Sequence, residues 1–290
     1  MKVAIIGGSG KMGQWFARFL AGDGMEVVIT GRNEEKLLAA QGKLGVAGTT
    51  DNVAAVKGAD VVLISVPIDN FEPVVEGLAP HIRPGQTVVD ITSVKVLPVE
   101  VMHRLLKDGL VLGVHPMFGP GARDIRNQNL VLTPTKPEEE ALARKIKEYL
   151  EARGARTMLM SPSAHDELMA IVLGLSHFIA IVASDALLGL GRLKDMAVIG
   201  GTSYRVLLTL VESVISENPD LYASLQMSFP KMVEVEELFL KKAGAWAQLV
   251  KSGDKAEFAS RMSALRDGFA QALPDFGGAY EKMYRILDEL

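Results

Sequence analysis

The first twenty residues, MKVAIIGGSGKMGQWFARFL (1–20), decide the fold. Residues 3–6 form a short apolar run, residues 14–20 carry apolar side chains at helical spacing, and Gly8-Ser9-Gly10-Lys11-Met12-Gly13 joins the two. A G-x-G-x-x-G sequence between a strand and a helix has a physical reason for each glycine. Gly8 permits the tight turn, Gly10 lets a pyrophosphate approach the backbone, and Gly13 lets helix and strand pack closely. The start of the helix then offers unpaired N–H groups to phosphate oxygens. The whole loop, with Ser9, Lys11 and Met12, is expected to bind a dinucleotide.

The next strand, 27–30, runs into Gly31-Arg32-Asn33. NAD-binding loops usually carry an acid near this point to bond the ribose 2′-hydroxyl, but here the first acids, Glu34 and Glu35, fall in the following helix. Arg32, with Lys36 one turn later, suits a 2′-phosphate, which favours NADP while leaving NAD possible. Nearly continuous β-branched runs at 61–66, 87–91 and 110–114 read as strands buried on both faces, as in parallel sheets. Strands at 129–132 and 156–159, with a helix at 137–152, complete the alternation. The class is α/β, with an N-terminal Rossmann-like, doubly wound, mostly parallel sheet over 1–162. From 163 to 290 the signals are helical, with breaks at glycine and proline pairs, which predicts an all-helical C-terminal domain. A helix near 163–188 is expected to join the two domains, and a ligand cleft to lie between them.

Composition narrows the function. The chain has 290 residues, no cysteine and a formal charge of −4. Disulfides, thiolate metal sites and a cysteine nucleophile are excluded. No basic patch stands out, so nucleic acid is not an expected partner. The N-terminus is a poor secretory signal, and the lack of cysteine fits a reducing compartment, so a cytoplasmic protein is expected. Residues 168–184 carry no formal charge, but Gly174, Ser176 and His177 interrupt them and Asp166, Glu167 and Asp185 flank them. A buried bundle helix, polar along one line, is expected there rather than a membrane span.

Candidate site residues gather at strand ends, where open α/β sheets bind ligands. Ser65 and Pro67 end one strand, Ser93 and Lys95 follow another, and His115 closes a third within Val114-His115-Pro116-Met117-Phe118-Gly119-Pro120. An imidazole titrating near neutrality can take a proton, and Ser93 could orient it or bond a substrate hydroxyl. Lys95 could meet an anionic substrate or be a solvated lysine. His177 sits mid-run among apolar residues, either as a core histidine or as a polar group aimed at the cleft. His165 and Asp166, near the helix start, read as capping or exposed. Arg205 heads an apolar helical stretch at a cost against the helix dipole, which a carboxylate-binding role would explain. No His/Asp/Glu spacing suggests a metal site.

Together these segments resemble the prephenate dehydrogenase family. They are the glycine loop, Asp90-Ile91-Thr92-Ser93-Val94-Lys95, His115-Pro116-Met117-Phe118-Gly119-Pro120, Leu175-Ser176-His177-Phe178, Tyr204-Arg205 and Asn218-Pro219-Asp220-Leu221-Tyr222-Ala223. They occur in family order across nearly the whole chain, closest to archaeal members and the dehydrogenase half of the bifunctional bacterial enzyme. On this resemblance no chorismate-mutase segment is expected before Met1 and no regulatory domain after the bundle. The resemblance implies oxidative decarboxylation of prephenate to 4-hydroxyphenylpyruvate in tyrosine biosynthesis. His115 would receive the hydroxyl proton, Ser93 would lie near that group and the nicotinamide, Arg205 would hold the ring carboxylate, and His177 would line the site. It also implies a homodimer built through the helical domain. Arogenate is the alternative substrate. The glycine loop with Thr30-Gly31-Arg32 also resembles the deazaflavin-dependent NADP oxidoreductase, and a non-catalytic NADP sensor is a third reading.

Overall fold

The computed structural model describes residues 1–288, in two compact units, Met1–Met169 and Ala170–Leu290. The first unit opens with β1 (Lys2–Ile6), α1 (Lys11–Gly22), β2 (Glu26–Thr30), α2 (Glu34–Leu44), β3 (Ala47–Thr49) and α3 (Asn52–Lys57). It continues with β4 (Val61–Ile64), α4 (Phe71–Leu78), β5 (Thr87–Asp90), α5 (Val96–Leu105) and β6 (Leu110–Pro116). It closes with β7 (Asn129–Thr133), α6 (Pro137–Glu151), β8 (Arg156–Leu159) and α7 (Pro162–Met169).

The eight strands form one sheet in the order β3-β2-β1-β4-β5-β6-β7-β8. All neighbours pair in parallel except β6 and β7, where His115 lies opposite Val131. The chain walks outward from β1 to β3, then returns to β4 on the other side of β1. Strand order therefore reverses between β1 and β4, and the crevice beyond their carboxyl ends is where such sheets take ligands.

Alternation along each buried strand feeds two cores. Val3, Ile5, Leu63, Val89 and Leu112 pack with α1, α2 and α6, whereas Ala4, Ile6, Val62, Val88 and Val111 pack with α3, α4 and α5. The crossovers of β4 to β5 and β5 to β6 both run on the second face. On the first face these strands lack a helix of their own, and an apolar cavity of about 580 Å³ remains between α1 and α6.

The second unit is helical: a π-helical segment (Ala170–Leu175), α8 (Ser176–Gly189), α9 (Leu193–Ile199), α10 (Thr202–Ile215), α11 (Pro219–Ser228), α12 (Met232–Ser252), α13 (Lys255–Ala272) and α14 (Ala279–Asp288). The units divide after Met169 rather than after residue 162. The reason is local: α7 belongs to the sheet unit, where its His165, Asp166 and Met169 are buried. The expectation of a buried bundle helix is also corrected. Pro162–Gly189 is one continuous helix, long and apolar enough to cross a membrane, and only 11% of its most apolar window is buried within the chain. Its second unit neighbours share this property: Val198, Ile199 and Met227 are each more than four-fifths exposed.

Candidate active site

The glycine loop is built as a phosphate cradle, with one reassignment. The residue in the left-handed region is Gly7, at φ 79°, not Gly8, and a Cβ there would lie 2.3 Å from the Ser65 carbonyl oxygen. Gly8 is required for contact instead, since its Cβ would meet Ile29 at 2.6 Å. Gly13 packs against the loop, its Cβ falling 2.6 Å from the Gly8 Cα. Only Gly10 faces open space, with nothing but the Gly7 carbonyl oxygen nearby at 3.2 Å. Gly10 is also the N-cap of α1 and, having no side chain, supplies no cap to the first turn, the kind of helix start that suits phosphate oxygens. The Ser9 and Gly7 N–H groups bond the Thr30 carbonyl and hydroxyl oxygens, pinning the loop to the end of β2. These features fit a dinucleotide pyrophosphate.

Beyond β2, a Cβ on Gly31 would lie 2.3 Å from the Ser9 hydroxyl, so glycine is needed there. Asn33 caps α2 by accepting the Lys36 N–H at 2.8 Å. The Arg32 and Lys36 side chains are exposed, and among the described residues neither makes an ion pair. Ser65 and Pro67 follow β4, the Ser65 N–H bonding the Ile6 carbonyl, so this rim sits beside the loop.

The turn from β5 to α5 carries Ser93, which is half-buried. Asp90 holds this turn closed: its Oδ1 accepts the Thr92 N–H at 2.7 Å and the Thr92 hydroxyl at 2.5 Å. Its Oδ2 accepts from the Lys95 ammonium at 2.5 Å, which also donates to the Val114 carbonyl at 3.0 Å. Lys95 is thus neither solvated nor offered to a substrate, correcting both expectations. It has no exposed surface, and its stem passes under Gly113, where a Cβ would be 3.2 Å from the Lys95 Cδ.

His115 lies within β6, one residue before its end, on the face opposite Val114. It is 4% exposed, and its Nδ1 lies 2.8 Å from the Nε2 of His165. The Nδ1 of His165 lies 2.7 Å from the Asp166 Oδ1. Asp166 accepts the Lys95 and Val96 N–H groups at 2.8 and 2.9 Å, capping α5, which has no cap of its own. Burial, then the Lys95 charge, then His165 push the His115 pKa well below its usual 6.5. His165 and Asp166 are therefore neither exposed nor a cap for their own helix. Their sequence signal is weak, a polar pair beside Ser161-Pro162, because the partners lie fifty and seventy residues away. Among the described residues, no cluster of three His, Asp or Glu side chains could hold a metal.

In the helical unit, His177 packs edge-on against Tyr222 with ring centroids 4.9 Å apart, and burial lowers its pKa. Its Nδ1, the Tyr204 hydroxyl and the Gln226 Oε1 are buried without a hydrogen-bond partner among the described residues. Tyr204 entered the sequence reading only as part of the Tyr204-Arg205 segment, and Gln226 not at all, since lone polar residues in helices carry no spacing signal. Arg205 lies in the first turn of α10, exposed, and makes no ion pair among the described residues.

Both units have counterparts in known proteins. A family described as prephenate dehydrogenase, nucleotide-binding domain, matches residues 16–159, and its dimerization domain matches 161–264. A probable arogenate/prephenate dehydrogenase of Methanocaldococcus jannaschii is 35% identical over 265 residues, 90% of this chain and 59% of its own length. The T-protein of Enterobacter agglomerans is 29% identical over 268 residues, 92% of this chain and 67% of its own. The chain thus spans about three-fifths to two-thirds of these relatives' lengths. The crystal structure of prephenate dehydrogenase from A. aeolicus with hydroxyphenyl propionate and NAD+ has the same fold, with a TM-score of 0.77 at 22% identity, covering 94% of this chain and 98% of that one. Because sheet unit and helical unit match the two successive domains of a single family, the chain belongs to the prephenate dehydrogenase family.

Proposed function

We propose that this protein is an NADP-dependent prephenate dehydrogenase that works in the cytoplasm as a homodimer. The observation that carries the reading is His115, a buried imidazole at the carboxyl end of β6 whose environment holds its pKa well below the usual value and so favours the neutral form. A neutral imidazole is what proton removal from a ring hydroxyl requires.

Residues Gly8 to Gly13 would hold the pyrophosphate, and Arg32 with Lys36 a 2′-phosphate; Ser65 and Pro67 border the same crevice. When bound, the nicotinamide supplies the hydride acceptor. His115 takes the hydroxyl proton while hydride leaves the carbinol carbon. The ring carboxylate then departs as CO2, its electron pair aromatises the ring, and His115 returns the proton to the phenolate oxygen. Ser93 bonds the reacting hydroxyl. Arg205 binds a substrate carboxylate, and His177 contributes a polar wall. Lys95 acts only through Asp90 and the turn it closes.

The exposed apolar side chains of the helical unit support a dimer, as does the match of residues 161–264 to a family dimerization domain. On this reading Pro162–Gly189 is a subunit-interface helix rather than a membrane span, and the three orphaned polar atoms await a ligand or the second subunit. The test is NADP+ and NAD+ reduction followed at 340 nm with prephenate and with arogenate, alongside mass by light scattering. Turnover with prephenate and NADP+ by a dimer is expected. Absence of turnover with both substrates would remove the reading, and preference for arogenate would transfer it to that substrate.

A further inference from the structure

The chain Asp166–His165–His115 does more than tie α7 to the sheet. We propose that His165 and Asp166 are positioning residues that lock His115 in the Nδ1–H tautomer and so leave its Nε2 lone pair as the proton-accepting atom. The inference rests on the reading of His115 as the base, and it names the two residues on which that base depends.

The argument is one of donors and acceptors. Both oxygens of Asp166 accept backbone N–H groups at the start of α5, so the carboxylate meets its surroundings as an acceptor. The nearby Nδ1 of His165, at 2.7 Å, must then carry the proton and donate it. A neutral imidazole has one N–H and one lone pair, so the Nε2 of His165 is an acceptor. Among the described residues the group it meets is the Nδ1 of His115 at 2.8 Å, which must therefore be N–H. By the same rule the Nε2 of His115 carries the lone pair. His165 has no exposed surface and Asp166 is 2% exposed, so water does not compete for this chain. A second proton on His165 would reverse the outcome, making the His115 Nδ1 an acceptor and blocking its Nε2. The arrangement follows the logic by which an aspartate fixes the tautomer of a catalytic histidine in hydrolytic triads, with a second imidazole inserted between them.

The experiment is 15N NMR of the histidine-labelled full chain without ligands, His115 being assigned by its loss in His115→Asn. Five histidines make the spectrum tractable. A protonated Nδ1 and an unprotonated Nε2 on His115 are expected at neutral pH. His165→Phe keeps a ring but removes the acceptor, so the His115 signals should move to a mixture of tautomers. In that variant kcat should fall on the order of 10²-fold while the KM for cofactor stays unchanged. His165→Gln puts an amide oxygen near the lost acceptor and should recover part of both. A native spectrum with His115 protonated at Nε2 overturns the proposal, whatever the His165 variants do. So does a His165→Phe protein with unchanged His115 signals. If no substrate in the 340 nm panel turns over but the tautomer behaves as stated, the enzymatic reading falls and the tautomer lock stands.

Discussion

Asp90 and Lys95 face each other at 2.5 Å without any exposed surface, and between them they close the turn that carries Ser93. A buried pair of this kind is costly to break from one side, because the remaining charge keeps its desolvation penalty. Lys95→Met should therefore destabilise the protein by about 3–5 kcal/mol in chemical denaturation. The double variant Asp90→Asn/Lys95→Met, which removes both charges and keeps the Thr92 bonds, should recover much of that loss. A double variant no more stable than Lys95→Met would show that the stem packing of Lys95 under Gly113, not its charge, accounts for the effect.

The depressed His115 pKa gives a signed pH dependence. Burial is the largest cause, followed by the Lys95 ammonium and His165. The base stays neutral as pH falls from 8 through 6.5, so kcat should hold across that range and decline only below it. Stability follows the same group in the other direction. The unfolded imidazole takes a proton near 6.5 while the folded one resists, so the unfolded state binds more protons below that pH. Stability should thus be full above pH 6.5 and fall with acidification, at up to about 1.4 kcal/mol per pH unit from this residue. His115→Asn should flatten that part of the curve in denaturant midpoints measured from pH 5 to 7.5. An identical slope in the variant would assign the dependence to other groups.

Arg205 offers an exposed guanidinium with no ion pair among the described residues, and its removal should leave the fold intact. A charge-assisted bond to a carboxylate contributes about 1.5–3 kcal/mol. Arg205→Ala should therefore raise the KM for prephenate roughly 10- to 100-fold, with kcat within a factor of two and the cofactor KM unmoved. A flat KM with a fallen kcat would refute the anchor role.

What the sequence disclosed tracks how local each feature is. The strand–glycine–helix unit is contiguous, so its class, its parallel sheet and its cradle were readable, and Glu34 and Glu35 open α2 where a helix was expected to follow the second strand. The left-handed glycine was misassigned by one residue because two glycines stand together, and only the contact with Ser65 shows that Gly7 carries the turn. His115 could be singled out from its loop. Its support could not, since His165 reaches it across fifty residues through the docking of α7 on α5. Lys95 looked available because a charge in a loop usually is, and nothing in the local sequence shows that Gly113 opens a channel for its stem. The long apolar helix misled in the opposite sense: apolarity predicts burial somewhere, but not burial within one chain.

The preference for NADP rests on two cations at the end of β2, and it can be separated from catalysis. Arg32 stands immediately beyond Gly31, whose lack of a side chain lets Ser9 close against the strand end, so the position of residue 32 beside the loop is set by backbone that mutation of Arg32 leaves unchanged. Arg32→Ala should raise the KM for NADP+ roughly 10- to 100-fold, the loss of a charge-assisted phosphate contact, while the KM for NAD+ changes little. Lys36→Ala should act in the same direction and more weakly, because an ammonium on a flexible stem binds as a point charge without bidentate geometry. Arg32→Asp should go further and favour NAD+, by placing a carboxylate where it can accept from the ribose 2′-hydroxyl. Equal losses with both cofactors would mean that Arg32 supports the loop rather than reading the 2′-position.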